Sequence, residues 1–391
     1  MQKNKMGIRG FDVVEFYVGS AKITTFWHAK AMGFEVKAYR GPENGYRDVN
    51  SYLLQKNDIK IVITSSCQPT TYEVTSFLER HGDGVKRWSF EVDNVKAAYD
   101  YALKKGGIPI SKPYITEDKD GSVEQAAIRI YDDSEIVYIN YDKYKGVFKP
   151  GYGEPLQDIT IECKDTGLQR IDHVVGNVRA DEMNFWESYF NRVMDFETML
   201  YFGPGDISTK YSALLSKVVR SKDGIIKNPI NEPYEGLKKS QIEEYLEQFH
   251  GSGVQHIAIE SDNIIESIAN LRANGMEFLE VPAAYYDDLR KSGIGIVEED
   301  IDLLQNTAFF VMLKVKVIYY NFSQSLSVIA QLFSMKSFSA VKVLKGLDKE
   351  ISKHFLNQLN AIKIVVVICK SKIIDITWYF PGFPSPLRGE G

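Results

Sequence analysis

Cysteine is scarce: three in 391 residues, Cys67, Cys163 and Cys369, far apart and in no zinc or disulfide spacing. Neither a disulfide scaffold nor a thiolate metal site organises this chain, and a reduced, cytoplasmic protein is the expectation. Net positive charge is also lacking. The balance is −5, which argues against a nucleic-acid footprint. No apolar run is long enough to span a membrane, and positions 1–6 are largely polar. Nucleic-acid and membrane partners are therefore not expected. What remains is a length sufficient for two domains with real cores, or for one architecture used twice.

The second alternative has direct support in an internal repeat. His81-Gly82-Asp83-Gly84-Val85-Lys86-Arg87-Trp88-Ser89-Phe90-Glu91-Val92-Asp93-Asn94 aligns without a gap on His250-Gly251-Ser252-Gly253-Val254-Gln255-His256-Ile257-Ala258-Ile259-Glu260-Ser261-Asp262-Asn263, an offset of 169 residues. A helical pattern follows each copy, with Asp93 and Asp262 where an N-cap would fall. Upstream, the run around Phe11-Asp12-Val13-Val14 matches Ile171-Asp172-His173-Val174 at an offset of 160, and a helix carrying Phe26-Trp27 or Phe185-Trp186 comes next. Strand, helix, strands, repeated within each half, implies an α+β fold with mixed sheets. A linker is expected across 145–157, rich in Gly, Pro and Lys, which divides the chain into 1–150 and 151–305.

The halves differ in two residues that carry chemistry. His173 and His256 sit in strand-like runs of the second half; their counterparts are Val13 and Arg87. A lone strand histidine is more often a hydrogen-bonded core residue than a ligand. Two at corresponding strands of one half, with both counterparts absent from the other, reverse that balance. Two imidazoles and one carboxylate on one face suit Fe(II), leaving three octahedral positions open. The first half is then structural and the second binds metal.

Arg170-Ile171-Asp172-His173-Val174-Val175-Gly176-Asn177-Val178, Asn228-Pro229-Ile230-Asn231-Glu232-Pro233 and Gly251-Ser252-Gly253-Val254-Gln255-His256-Ile257-Ala258 resemble the 4-hydroxyphenylpyruvate dioxygenase family, from about Gly10 to Gln305. The resemblance implies duplicated vicinal-oxygen-chelate (βαβββ) modules in two barrel-like domains. It implies His173 and His256 as iron ligands, and Ser216, Asn231 and Gln255 as substrate-pocket residues. From their own chemistry, Asn231 can equally be a turn residue and Ser216 an ordinary strand serine. The implied reaction turns a 2-oxo acid, 4-hydroxyphenylpyruvate, and O2 into homogentisate and CO2. The resemblance also implies a homo-oligomer. Hydroxymandelate synthase and a non-catalytic aromatic-acid-binding protein are the alternatives.

The family's third ligand is a Glu in a late Phe-Phe-x-Glu strand, and no such strand occurs here. Residues 306–391 carry eleven Lys/Arg against four Asp/Glu, a net of +7, which leaves −12 on the first 305. Such a break is a boundary signal. Codons written for Lys316-Val317-Ile318-Tyr319-Tyr320-Asn321, read two bases later, give Gly-Tyr-Leu-Leu-Gln. Those for Leu332 through Phe338 give Phe-Phe-Tyr-Glu-Val-Ile, with the missing Glu spanning Met335 and Lys336. The expectation is a frameshift near codon 305, an aberrant tail over 306–391, an incomplete second barrel with an exposed strand edge, and impaired activity. Asp348, Glu350, His354 and Asp375 are the tail's own candidate replacement ligands.

Overall fold

A computed structural model describes residues 4–155, 161–202, 213–234, 239–276, 278 and 373–377, with backbone alone at 213, 214 and 373–377. The first half runs β1 (Ile8–Tyr17), α1 (Ala21–Met32), β2 (Glu35–Arg40), β3 (Val49–Lys56), β4 (Ile59–Ser66), α2 (Tyr72–His81), β5 (Gly84–Val92), α3 (Val95–Lys104), β6 (Pro109–Asp118), β7 (Gly121–Ile130) and β8 (Ser134–Tyr144). Its eight strands form one sheet in the order β2-β3-β4-β1-β5-β8-β7-β6. That order is a βαβββ unit and its copy, joined through the antiparallel β1–β5 pair. β1 pairs in parallel with β4, and β5 with β8.

The second half begins the same way, with β9 (Leu168–Asn177), α4 (Met183–Val193), β10 (Glu197–Phe202), β11 (Ala213–Arg220), β12 (Lys227–Tyr234), α5 (Gln241–Gln248), β13 (Gly253–Ser261) and α6 (Ile264–Ala273). β14 (Ile373–Thr377) completes a sheet in the order β10-β11-β12-β9-β13-β14. The α+β architecture of duplicated modules is as the repeat implies. The free edge expected on β13 is instead covered, because β14 from the tail pairs with it. That pairing is antiparallel, where the corresponding β5–β8 pair of the first half is parallel.

One hydrophobic cluster spans both halves. Trp88, Phe90 and Tyr131 of the first pack with Trp186, Phe190 and Phe196 of the second, all under 7% exposed. Tyr131 meets Trp186 edge-on at 5.2 Å between ring centroids, a favoured aromatic geometry. A Cβ at Gly176 on β9 would collide with the Tyr131 hydroxyl, so a side chain there would push the halves apart. The repeat also closes on itself. The His81 ring donates from Nδ1 to the Phe249 carbonyl at 2.5 Å, and the His250 ring donates to the Arg80 carbonyl at 2.7 Å. Both donors and both acceptors are 169 residues apart, so the two bonds are one contact made twice about a local two-fold axis.

Two local expectations need correction. The N-caps of α3 and α6 are Asn94 and Asn263, whose side-chain oxygens accept from Ala97 N–H and Glu266 N–H; Asp93 is turned outward to Arg9. The short amide cap reaches the first turn from one position later than the sequence suggests. Over its described part, 145–155, the expected linker is docked rather than free. Phe148 and Tyr152 are buried with Val13, Ala38, Leu53 and Val62 against the inner face of the first sheet, since the apolar area of two rings outweighs the local Gly and Pro content.

Candidate metal centre

The two central strands of the second half, β9 and β13, are antiparallel neighbours with His173 opposite Ala258 and Val175 opposite His256. Residues in such a register alternate between faces, so both imidazoles share the inner face. They are 3% and 2% exposed, their ring centroids are 6.3 Å apart, and their planes cross at 72°. Neighbouring β-strands thus bring together residues 83 positions apart, as the sequence predicts.

Each ring is held by the residue before it. Adjacent strand residues normally point to opposite faces, but the ladder slips twice here. Gln255 is the unpaired residue between Val254 and His256, and Asp172 is the unpaired residue between Ile171 and His173. These bulges turn Asp172 and Gln255 toward the imidazoles that follow them. His173 Nδ1 donates to Asp172 Oδ2 at 2.7 Å, and His256 Nδ1 donates to Gln255 Oε1 at 3.2 Å. With Nδ1 holding the hydrogen, Nε2 is the lone-pair nitrogen of each ring.

For His256, electrostatics favour the same state. Burial, assisted by the neighbouring His173, pushes His256 down to about 3, so the ring is neutral. Burial alone would raise Asp172; the hydrogen bond from His173 and the ammonium of Lys227, at 2.6 Å, outweigh it and hold the carboxyl at about 2. Asp172 and Lys227 were not anticipated as site residues. The signal was present, since an acid inside an apolar strand needs a partner.

Two other anticipated residues, Ser216 and Asn231, line one row across the sheet together with Asn177, which was not anticipated. Ser216 on β11 stands opposite Asn231 on β12, which stands opposite Asn177 on β9. All three are 3% exposed or less. Asn231 Nδ2 reaches Asn177 Oδ1 at 3.4 Å. Among the described residues, Ser216 Oγ, Asn231 Oδ1 and Asn177 Nδ2 have no hydrogen-bond partner. Buried polar atoms without partners are costly, and a cluster of them on the histidine face is what a polar ligand would satisfy.

These residues fit two corners of a metal site. Nitrogen–metal bonds of about 2.1 Å, plus about 1.1 Å from nitrogen to ring centre on each side, span about 6.4 Å end to end. The observed separation is therefore at the upper limit for one shared ion, and a cis arrangement requires the rings to close by more than about 1 Å. Among the described residues no group of three His, Cys, Asp or Glu side chains could hold a metal. Met335, near which the third ligand is expected, lies outside them, as do Asp348, Glu350 and His354. The backbone of Asp375 stands opposite Ala258.

Two curled sheets of repeated βαβββ modules, with paired histidines on the inner face of one, define a duplicated vicinal-oxygen-chelate protein. Residues 2–152 match the family profile described as "Hydroxyphenylpyruvate dioxygenase, HPPD, N-terminal". A 4-hydroxyphenylpyruvate dioxygenase of Coccidioides posadasii is 39% identical over 316 residues, 76% of this chain and 79% of that one. Its namesake in Xenopus tropicalis is 38% identical over 307 residues, 77% and 78% of the two chains. The chain belongs to the 4-hydroxyphenylpyruvate dioxygenase family. A mutant 4-hydroxymandelate synthase from Streptomyces coelicolor superposes with a TM-score of 0.67 at 23% identity, over 77% of this chain and 84% of that one, a likeness of fold. Among the described residues, no helix is long and apolar enough to cross a membrane.

Proposed function

We propose that the second half, 151–305, is built to convert 4-hydroxyphenylpyruvate and O2 to homogentisate and CO2, with Fe(II) held by His173 and His256. The first half, 1–150, serves as its structural partner. The supporting observation is the pair of buried, facing imidazoles, each with its Nδ1–H occupied by the preceding bulge residue. The bound ion would supply the redox chemistry of dioxygen and a chelating centre for the 2-oxo acid. The protein's own residues do the rest. Asp172, anchored by Lys227, keeps His173 oriented. Ser216, Asn231 and Asn177 present unmatched donors and acceptors that orient the substrate's polar oxygens, and Gln255 flanks His256. The buried setting of the row keeps water from competing for those groups.

Residues 306–391 we read as out of frame, so the carboxylate that would complete the ligand set is lacking. Two imidazoles at the edge of bridging range then hold iron weakly, and turnover by this chain is low. The tests are paired. Sequencing the gene and transcript across codons 295–345 either restores the Glu-bearing strand in a shifted frame or removes the frameshift account. Anaerobic Fe(II) titration of the purified chain, followed by product analysis with 4-hydroxyphenylpyruvate, expects substoichiometric iron and little homogentisate. Stoichiometric iron with rapid turnover overturns the impairment. Hydroxymandelate as product would move the assignment to the synthase. A cytoplasmic location accords with the scarcity of cysteine and with the free thiols of Cys67 and Cys163.

A further inference from the structure

The inner face of the first sheet encloses a cavity of about 460 Å3, inside the range of roughly 300–1,000 Å3 typical of small-molecule pockets. Val13 and Arg87, the repeat counterparts of His173 and His256, both line it. It is therefore the twin of the metal pocket, refitted with different side chains. Its four carboxylates already have bases nearby. Asp12 meets Lys60 at 3.0 Å, Glu135 meets Lys86 at 2.9 Å, Glu73 meets Arg87 at 2.5 Å, and Glu15 meets Arg87 at 3.4 Å.

Donors are left over. Among the described residues the Lys149 ammonium has neither a hydrogen bond nor an ion pair; it lies over the rings of Phe148 and Tyr152 at 5.1 and 5.6 Å. Burial pushes that ammonium down, with Glu15 attracting it only at longer range. Gln125 on the wall is buried, and among the described residues its side-chain amide has no hydrogen-bond partner. Arg87 Nε makes no hydrogen bond but is already held between Glu15 and Glu135 at 3.4 and 3.6 Å, so the spare donors are those of Lys149 and Gln125. Beside these donors stand the rings of Tyr141 and Phe148 and the aliphatic Val137 and Ile139. A surplus of donors next to an aromatic wall selects a ligand with an anionic acceptor at one end and a flat apolar body at the other.

We propose that the cavity of the first half is a second ligand site, taking a small aromatic monocarboxylate with its carboxylate on Lys149 and Gln125 and its ring against Phe148 and Tyr141. It needs no metal, and it stands or falls independently of the function assigned to the second half. The probe is phenylacetate, which lacks the 2-oxo group needed for chelation, with phenylacetamide as the uncharged control. Calorimetry on the full chain without added metal expects saturable phenylacetate binding and at least about tenfold weaker binding of the amide. Lys149→Met should weaken phenylacetate binding about tenfold or more, and Lys149→Arg should restore most of it. The double variant His173→Ala/His256→Ala should bind as the parent does. If Lys149→Met does not fold, Gln125→Leu supplies the same test through the other donor. The proposal fails if no saturable binding occurs at millimolar phenylacetate, or if the amide binds equally. It fails too if binding survives loss of Lys149 or Gln125, or if it is lost with the two histidines.

Discussion

The two halves of this molecule share a strand register, and they differ in what that register presents. Glu15 opposite Arg87 in the first half becomes Val175 opposite His256 in the second, and Tyr17 opposite Gly84 becomes Asn177 opposite Gly253. Even the bulges repeat: Lys86 occupies the slipped position of Gln255. The Asp12–Lys60 pair at 3.0 Å reappears as Asp172–Lys227 at 2.6 Å. On this common frame one half carries a cluster of ion pairs around Arg87 and the other a pair of buried imidazoles. The bulge and its acid therefore belong to the scaffold, and the pair of facing imidazoles differs from the first half by two substitutions on the scaffold's inner face.

The largest effect that would break this comparison is on metal binding. His256→Ala should abolish it in a Co(II) or Fe(II) titration, because one imidazole without a second or a carboxylate is a weak monodentate ligand. Arg87→Ala, the matching change in the first half, should leave metal binding intact. Its cost falls on stability, about 3 kcal/mol, since the mostly buried Glu15 loses its counter-ion, while Glu135 keeps Lys86 and Glu73 is largely exposed. Undiminished metal uptake by His256→Ala would remove the second half's claim to the site.

A smaller difference sharpens the comparison at the helices. The buried residues of α1 include Thr25, His28, Ala29 and Met32, and those of α4 include Trp186, Tyr189, Phe190 and Val193. The spacing is the same, so His28 occupies the place of Tyr189. Burial holds His28 at about 4 against an ordinary 6.5. A histidine lowered in the folded state stabilises it fully above pH 6.5, and that contribution is lost as pH falls from 6.5 toward 4. That lowering corresponds to about 3 kcal/mol. His28→Leu should flatten the acid limb of the stability curve over that window, as measured by urea unfolding at a series of pH values. An unchanged acid limb would mean that the carboxylates alone set acid sensitivity.

How much of this was legible follows from what kind of information each feature uses. The duplication, the central strands and the facing of His173 and His256 are written in residue order, because a strand's period of two and a repeat offset fix them without further geometry. The roles of Asp172 and Gln255 are not. They depend on ladder slips between β9 and β13, which are decided by pairing of the two strands and not by either one alone. Asn177 was quoted within a motif yet given no role, because only the register sets it beside Asn231. Segment 145–155 reads as a linker by composition, and only the open inner face of the first sheet shows where Phe148 and Tyr152 go. The helices carrying Phe26-Trp27 and Phe185-Trp186 look equivalent in sequence, but Trp27 is 42% exposed and Trp186 only 6%. That difference in phase, about half a turn, is set by the partner surface each helix meets.

The smallest of these effects separates orientation from ligation. Asp172→Asn retains shape and bulge while replacing an anionic acceptor with an amide that has only one acceptor oxygen. His173 Nδ1–H can still be held by that oxygen, but Lys227 loses its ion pair, and the ring loses the negative charge that strengthens its lone-pair nitrogen. Metal affinity should fall by about 10–100-fold, well short of the abolition expected for His256→Ala. The twin change, Asp12→Asn, breaks the same Asp–Lys pair on the other sheet and should leave metal affinity untouched, weakening only the bonds from Ser89, Tyr141 and Lys60. A Co(II) titration of both variants reads the difference. If they lower affinity equally, the acid acts through the stability of the shared scaffold and not through the imidazole beside it.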